Sequence, residues 1–77
     1  MISMERARTA KDYVRKLLRG AHGISGVGIS WTDNGEPCVR VNVAQNIDPK
    51  ERQKIPTEAC DVPVLVEIVE NIRHEAF

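Results

Sequence analysis

The sequence has few aromatic residues and few cysteines. Its 77 residues include one Trp, one Tyr, one Phe and two Cys. A small secreted scaffold usually contains about four to eight cysteines, so two thiols favour a reducing, cytosolic environment over a disulfide framework. Because aromatic side chains are scarce, the core must be aliphatic. Nine Val and seven Ile are available to build it, and such β-branched residues favour strands.

The sequence also lacks net charge and a long hydrophobic run. Eleven basic and eleven acidic residues balance, which argues against a dedicated nucleic-acid or membrane-surface binder. No apolar run approaches the roughly 20 residues of a membrane span. The N-terminus shows no apolar signal-peptide core, and the C-terminus shows no lipidation signal. These features predict a cytoplasmic protein with no membrane attachment.

The chain is short enough to form one small domain over residues 1–77, with residues 71–77 expected to fray. A hydrophobic fraction of 42% and a charged fraction of 29% are typical of a soluble globular domain. The charges are unevenly distributed: residues 1–20 sum to +4 and residues 58–77 sum to −4. We expect these two segments to lie on different solvated faces and to attract each other weakly.

Residues 4–20 are predicted to form an amphipathic helix. Ser3 is placed to cap its N-terminus and Gly20 to end it, while Lys16 and Arg19 suit the negative end of the helix dipole. The apolar residues recur with the 3.6-residue period of one helix face: Ala7, Ala10, Val14, Leu17, Leu18 and Ala21.

A glycine-rich turn then leads into a predicted β-hairpin. Residues 27–32 and 38–44 both alternate between apolar and small or polar side chains, as in half-buried strands. Asn34-Gly35 between them is a strong hairpin signal, since both residues tolerate positive φ.

A short second helix and a third strand follow. Asp48 is placed to cap this helix, Pro49 to occupy its first position, and Glu51 to act as the acid of a capping box. Pro56 should end the helix. Residues 57–61 are predicted to be a loop and residues 62–70 a strand, where Pro63 indicates an edge strand or a strand start.

These elements predict an α/β (α+β) two-layer sandwich with the order helix-strand-strand-helix-strand. Two helices should cover one face of a three-stranded mixed sheet, with the third strand parallel to the second. The preferred strand order is 2-1-3, with the glycine-rich strand at the centre, and 1-2-3 is the alternative. The expected core comprises Val14, Leu17, Leu18, Val27, Ile29, Trp31, Val39, Val41, Ile55, Val64, Val66 and Ile68.

A recurring pattern runs from Gly23 to about Glu70. Its pieces are Gly23-Ile-Ser-Gly26-Val27-Gly28, Gly35-Glu-Pro37 leading to Val43, Ile55-Pro56 and Val62-Pro63-Val64. The pattern resembles that of small uncharacterised bacterial proteins, and similar modules occur ahead of trypsin-like peptidase domains. It covers roughly two-thirds of the chain. The resemblance implies a fold and a non-catalytic role but transfers no functional residue. Relatives often have Gly where Asp61 stands here.

The sequence shows no arrangement typical of catalysis or of metal binding. The three glycines precede a strand rather than a helix, unlike a phosphate-binding loop. Cys38 and Cys60 have no neighbouring base and are expected to be inert thiols with a strand between them. His22 and His74 approach each other only in the 2-1-3 order, and neither has the close ligand partner usual in zinc sites. We therefore predict no enzyme activity, no cofactor and no metal.

Interaction with another molecule is the remaining expectation. One face of the sheet should stay uncovered, and there Leu65 and Val69 prefer burial while Glu67 limits uncontrolled strand pairing. Arg40 is expected to pair with Glu67 across an interface. This candidate interaction surface predicts an unknown protein partner and a possible homodimer. The alternative is weak nucleic-acid binding through the outer face of the first helix, formed by Arg8, Lys11, Arg15 and Arg19.

Overall fold

A computed structural model describes residues 2–69 of the chain. Their order is helix, two strands, helix and two strands. The elements are α1 (Met4–Leu17), β1 (Ile24–Trp31), β2 (Pro37–Ala44), α2 (Pro49–Arg52), β3 (Glu58–Ala59) and β4 (Val62–Val69). The predicted frayed tail at residues 71–77 lies outside the described residues. Among the residues described, no helix is both long and apolar enough to cross a membrane.

The strands form one mixed four-stranded sheet in the order β1-β2-β4-β3. β1 and β2 are antiparallel, β2 and β4 are parallel as predicted, and β3 is antiparallel to β4. The preferred order 2-1-3 was wrong, because β2 and not β1 is the central long strand. The reason lies in the side chains. Val39, Val41 and Val43 of β2 are fully buried, whereas the glycines of β1 have no side chains to pack against two neighbours.

The predicted loop at residues 57–61 contains a short strand that was not predicted, β3. Ala59 of β3 pairs with Val62 of β4, which leaves a two-residue connection between them. Both residues of this connection have positive φ, 52° for Cys60 and 64° for Asp61, as a type I′ turn requires. Asp61 thus occupies a position that favours glycine, the residue expected there from the resemblance.

The hairpin between β1 and β2 forms at Asn34-Gly35, as predicted, but with a different turn. The N–H of Gly35 donates to the carbonyl of Thr32, and the N–H of Thr32 donates to the carbonyl of Glu36, both at 2.8 Å. Gly35 has φ +82°, whereas Asn34 does not have positive φ. The loop is therefore a three-residue connection with glycine in the left-handed region.

The predicted cap of α1 is confirmed: the Ser3 hydroxyl oxygen accepts from the N–H of Arg6 at 3.1 Å. The helix ends at Leu17, three residues before the predicted stop, and the chain turns through Gly20 with φ +86°. Gly23, with φ +87°, precedes β1. A Cβ atom there would lie 2.8 Å from Cγ1 of Ile47, so this close approach requires glycine.

The second helix is a single turn and buries no side chain. The prediction that it covers one face of the sheet was therefore wrong. Its cap is confirmed, since the Asp48 carboxylate accepts from the N–H of Lys50 at 2.9 Å. The capping-box role of Glu51 is not observed. The Glu51 carboxylate instead accepts from the N–H of His22 at 3.2 Å and from the Lys54 ammonium group. Beyond α2, Ile55 enters the core.

The core lies between α1 and one face of the sheet, and its largest side chains are aliphatic. Three expected core residues are exposed instead: Leu17 by 48%, Trp31 by 57% and Ile68 by 53%. Leu17 lies to one side of the helix stripe, while Trp31 and Ile68 lie near strand ends. Val27, Ile29 and Val66 are half-buried. The buried cluster comprises Ala10, Val14, Leu18, Val39, Val41, Val43, Ile55, Ala59, Val62 and Val64.

Adjacent leucines at the end of α1 test this packing. Leu18→Ala should lower the free energy of unfolding by about 2–5 kcal/mol, because the side chain is 5% exposed and its loss leaves a cavity. Leu17→Ala should lower it by less than about 1 kcal/mol, because half of that side chain is already in water. Urea denaturation followed by circular dichroism measures both. Equal losses would contradict the observed helix orientation.

The turn between β3 and β4 gives a second stability prediction. Cys60→Asn should raise the free energy of unfolding by about 0.5–1 kcal/mol, because asparagine adopts positive φ at lower cost than cysteine. Cys60→Ala is the matched control, since it removes the thiol but keeps the unfavourable conformation. Thermal denaturation of the two variants should rank asparagine above alanine, and the reverse order would argue against the type I′ turn.

Candidate interaction surfaces

The face of the sheet opposite the core is the first candidate surface, here called the open face. Because side chains alternate along a strand, the residues between the core valines point to this side. Leu65 is 44% exposed and Glu67 is also exposed, so solvent reaches this face in residues 2–69. The open face comprises Gly26, Gly28 and Ser30 of β1, Cys38, Arg40, Asn42 and Ala44 of β2, and Pro63, Leu65, Glu67 and Val69 of β4.

The structure brings together the four residues of the predicted interaction surface. Arg40 lies opposite Leu65 in the register between β2 and β4, and Val69 lies opposite Ala44. Nη1 of Arg40 is 3.5 Å from Oε1 of Glu67. Arg40 therefore pairs with Glu67 of its own chain, where we expected a contact across an interface. Both side chains are about half exposed, and such a pair contributes at most about 1 kcal/mol.

Two polar atoms on the open face lack a hydrogen-bond partner within the described residues. They are Nε of Arg40, a donor, and Oδ1 of Asn42, an acceptor, and both are shielded from solvent. They belong to residues two positions apart on the central strand, which places them on the same face. A shielded polar group without a partner is unfavourable by about 1–3 kcal/mol, so this face has unmet capacity for hydrogen bonds.

The two cysteines are free and lie in different environments. Cys38 is fully buried on the open face, opposite Ser30, whereas Cys60 is exposed in the turn before β4. Burial raises the pKa of the Cys38 thiol, although a hydrogen bond with the Ser30 backbone and the charge of Arg40 oppose the shift. The expected inertness therefore has a structural basis for Cys38 only. The expected strand between the two cysteines is not there, since β2 and β4 are neighbours.

The predicted basic residues form a second candidate surface, here called the basic flank. Arg8, Lys11, Arg15 and Arg19 are three or four residues apart in sequence and line one side of α1 and its C-terminal turn. Arg15 borders a hollow of about 480 Å³ that is also lined by Ile24, Gly26 and Val27 of β1. The basic flank therefore lies beside β1 at Arg15. On the opposite side of α1, Nη1 of Arg6 lies 3.5 Å from Oδ2 of Asp61.

The outer edge of β1 is a feature that the sequence prediction missed. The preferred strand order placed β1 at the centre of the sheet, where no edge exists. In the structure β1 is the terminal strand, and Arg15 of the basic flank lies beside it. The signal was present in its composition, because Gly26 and Gly28 weaken a strand as a central element.

A metal site is not formed by the residues that the structure describes. No group of three His, Cys, Asp or Glu side chains converges within residues 2–69. His22 is exposed, and its backbone N–H is bound by Glu51. His74, the other histidine considered, lies outside the described residues, and the strand order that was expected to bring the two together is not the observed one.

The cysteine environments predict unequal reactivity. At pH 8, Ellman's reagent should modify Cys60 rapidly and Cys38 only as fast as the protein unfolds, because Cys38 is buried with a raised pKa. A raised folded-state pKa also means that Cys38 favours the fold below the ordinary thiol pKa and loses this contribution as pH rises through the folded value. Because Cys60 is the exposed thiol, Cys60→Ala should abolish the fast phase of modification. Two equally fast thiols would contradict the burial of Cys38.

Comparisons of the chain with protein-family models, with curated proteins and with solved structures found no match. The open face combines an exposed leucine with a donor and an acceptor that have no partner in the described part of the chain. The edge of β1 combines backbone groups that pair with no other strand among residues 2–69 with a row of cations.

Proposed function

We propose that the protein is a non-catalytic assembly module of the cytoplasm that forms a homodimer through the open face of its sheet. The proposal agrees with the non-catalytic role that the sequence resemblance implies. One observation carries it: a donor on the open face, Nε of Arg40, and an acceptor there, Oδ1 of Asn42, have no hydrogen-bond partner within residues 2–69. A two-fold axis presents the same patch on both copies, so it supplies an acceptor for each donor.

Hydrogen bonding on the open face is self-complementary. Rotation of the Arg40 and Asn42 side chains away from the sheet directs each group toward the second copy. Two reciprocal bonds, from Arg40 of each copy to Asn42 of the other, then satisfy four groups that have no partner within residues 2–69. The carboxylate of Glu67, which lies near Arg40 on the same face, offsets the positive charge that the two arginines bring together.

The shape of the open face supports the same arrangement. The β1 side is shallow because it presents Gly26 and Gly28, whereas the β4 side is raised by Leu65 and Val69. A two-fold axis parallel to the strands places β4 of one copy over β1 of the other. Each raised side then fills the shallow side opposite, and Leu65 moves from water into an apolar contact.

Packing of a second copy against the open face would also stabilise so small a domain. A domain of this size removes only about 60% of its unfolded surface from water. Here α1 covers one face of the sheet, and α2 buries no side chain. Burial of Leu65 and Val69 in a dimer adds apolar contact that one copy lacks, as oligomerisation commonly does for small scaffolds.

A charge placed on the open face tests the proposal. Sedimentation velocity at about 50 µM should show a dimer of the natural chain. Leu65→Lys should convert it to a folded monomer, because the lysine would be buried without a partner. Ile68→Lys is the matched control: it lies on the same strand, is similarly exposed at 53%, and faces the opposite side of the sheet. This control should leave the dimer intact.

Asn42→Ala gives an independent measure of the reciprocal hydrogen bonds. It removes both acceptors at the two-fold interface and should weaken the dimer at least about tenfold, since each bond lost leaves a donor unpaired. A natural chain that is a clean monomer at this concentration would overturn the proposal. A dimer that survives Leu65→Lys would place the interface elsewhere on the molecule.

A further inference from the structure

We propose that the outer edge of β1 binds an extended acidic peptide, which adds to the sheet as a further strand beneath the basic flank. The ligand class is a segment with acidic side chains at alternate positions. The hydrogen bonds and charge contacts of this site use the edge of β1 and one side of α1. Only alternate side chains of the peptide lie beside the open face, so binding does not require the proposed homodimer.

The edge of β1 has free backbone groups. β1 is the last strand of the sheet, and within residues 2–69 its ladder partner is β2 alone. In an antiparallel pair, the residues of an edge strand alternate between bonding their neighbour and pointing N–H and C=O groups outward. Such a row of groups is a template for an added strand.

β1 also lacks most of the features that protect an edge from pairing. Its sequence, ISGVGISW, contains no charged residue and no proline. A register irregularity interrupts the ladder between Ile24 and Gly26, but pairing is regular from Gly26 to Trp31. The other side of the sheet differs, because β4 contains Pro63 and Glu67 and is covered at its start by β3. The regular part of β1 is therefore the edge open to a ligand.

The basic flank determines the charge of that ligand. Arg15 lines the hollow above Ile24 and Gly26, and the other three cations follow it along the same side of α1. Asp12 lines a hollow with Arg15, Lys16 and Arg19, so cations outnumber acids in this part of the flank. A strand added to β1 lies directly below these cations, and carboxylates on its upper side gain attraction that neutral or basic side chains do not.

The same charges exclude a second copy from this edge. Pairing of β1 with β1 of another molecule places both helices on one side of a continuous sheet. The two basic flanks then face each other, and like charges brought together in this way oppose association. The edge is thus selective: its backbone accepts any strand, and the cations of α1 favour an acidic one.

The sheet also defines the spacing within the peptide. Successive side chains of an added strand point to opposite faces. One set faces α1 and its cations, and the other lies beside Gly26 and Gly28 on the open face, where glycine leaves room for large residues. The preferred ligand therefore alternates acidic residues with β-branched ones, which cover the glycines.

Fluorescence anisotropy with a labelled Thr-Glu-Val-Glu-Val-Glu-Thr peptide tests this site. The folded chain should bind it at about 0.05 M salt and bind more weakly at about 0.5 M, where screening is strong. The same peptide methylated at each internal amide nitrogen keeps every charge but cannot add to a sheet, and it should not bind. Hydrogen exchange should show that the unmodified peptide protects amides of residues 26–31.

Two charge-reversal variants test the role of the basic flank. Arg8→Glu with Arg15→Glu should raise the Kd for the peptide at least about tenfold. Arg6→Glu with Arg52→Glu changes the net charge equally but lies off the basic flank, and it should leave the Kd within about twofold. Circular dichroism confirms that each variant is folded.

Four results would overturn the proposal. Absence of binding at low salt would remove the site. Equal binding of the methylated peptide would show attraction without strand addition. Equal losses in the two variants would show that general charge, not the basic flank, holds the peptide. Tighter binding of a single-stranded oligonucleotide of eight thymidines, weakened by Arg8→Glu with Arg15→Glu, would assign the flank to nucleic acid instead.

Discussion

The packing of α1 against the central strand β2 is the contact on which the rest of the structure depends. Val39, Val41 and Val43 are fully buried, and they lie beneath the small and branched residues Ala10 and Val14 of the helix. Alanine allows the helix to approach the sheet closely, so a chain with few aromatic residues can still form a dense core. Because one helix supplies this cover, one face of the sheet is packed and the other is left to solvent.

That asymmetry produces both candidate surfaces. The valines of β2 alternate with Arg40 and Asn42, so the burial of one set directs the other toward the open face. The two long neighbours of β2 differ in how well their outer edges are protected from pairing with a further strand. β4 carries a proline, a glutamate and a short covering strand, whereas β1 carries glycines and no charge. The cations of α1 lie beside the unprotected strand, where they repel a copy of the same chain and attract an acidic segment.

Most local elements were predictable because their signals are short-range. The caps Ser3 and Asp48, the hairpin at Gly35 and the alternation of β2 each depend on a few neighbouring residues. Glu51 shows the limit of such inference. It stands at the capping-box position, yet its carboxylate binds the N–H of His22, 29 residues away. No local pattern contains that contact, because it exists only once α2 lies beside the end of α1.

The sequence by itself determined the type of each long element, the alternation of the strands, the parallel direction of β2 and β4 and the four cations of the basic flank. Tertiary structure alone decided the strand order, and with it which edge is free. Periodicity shows which face of a strand is apolar but not which neighbour it has. β2 pairs with β1 on one side and with β4 on the other, and its valines are fully buried between these neighbours. The glycine-rich strand β1 therefore does not occupy the centre of the sheet. Trp31 and Ile68 are exposed because a single helix covers only part of the apolar face of the sheet, and Leu17 is exposed because it lies to one side of the buried stripe of that helix.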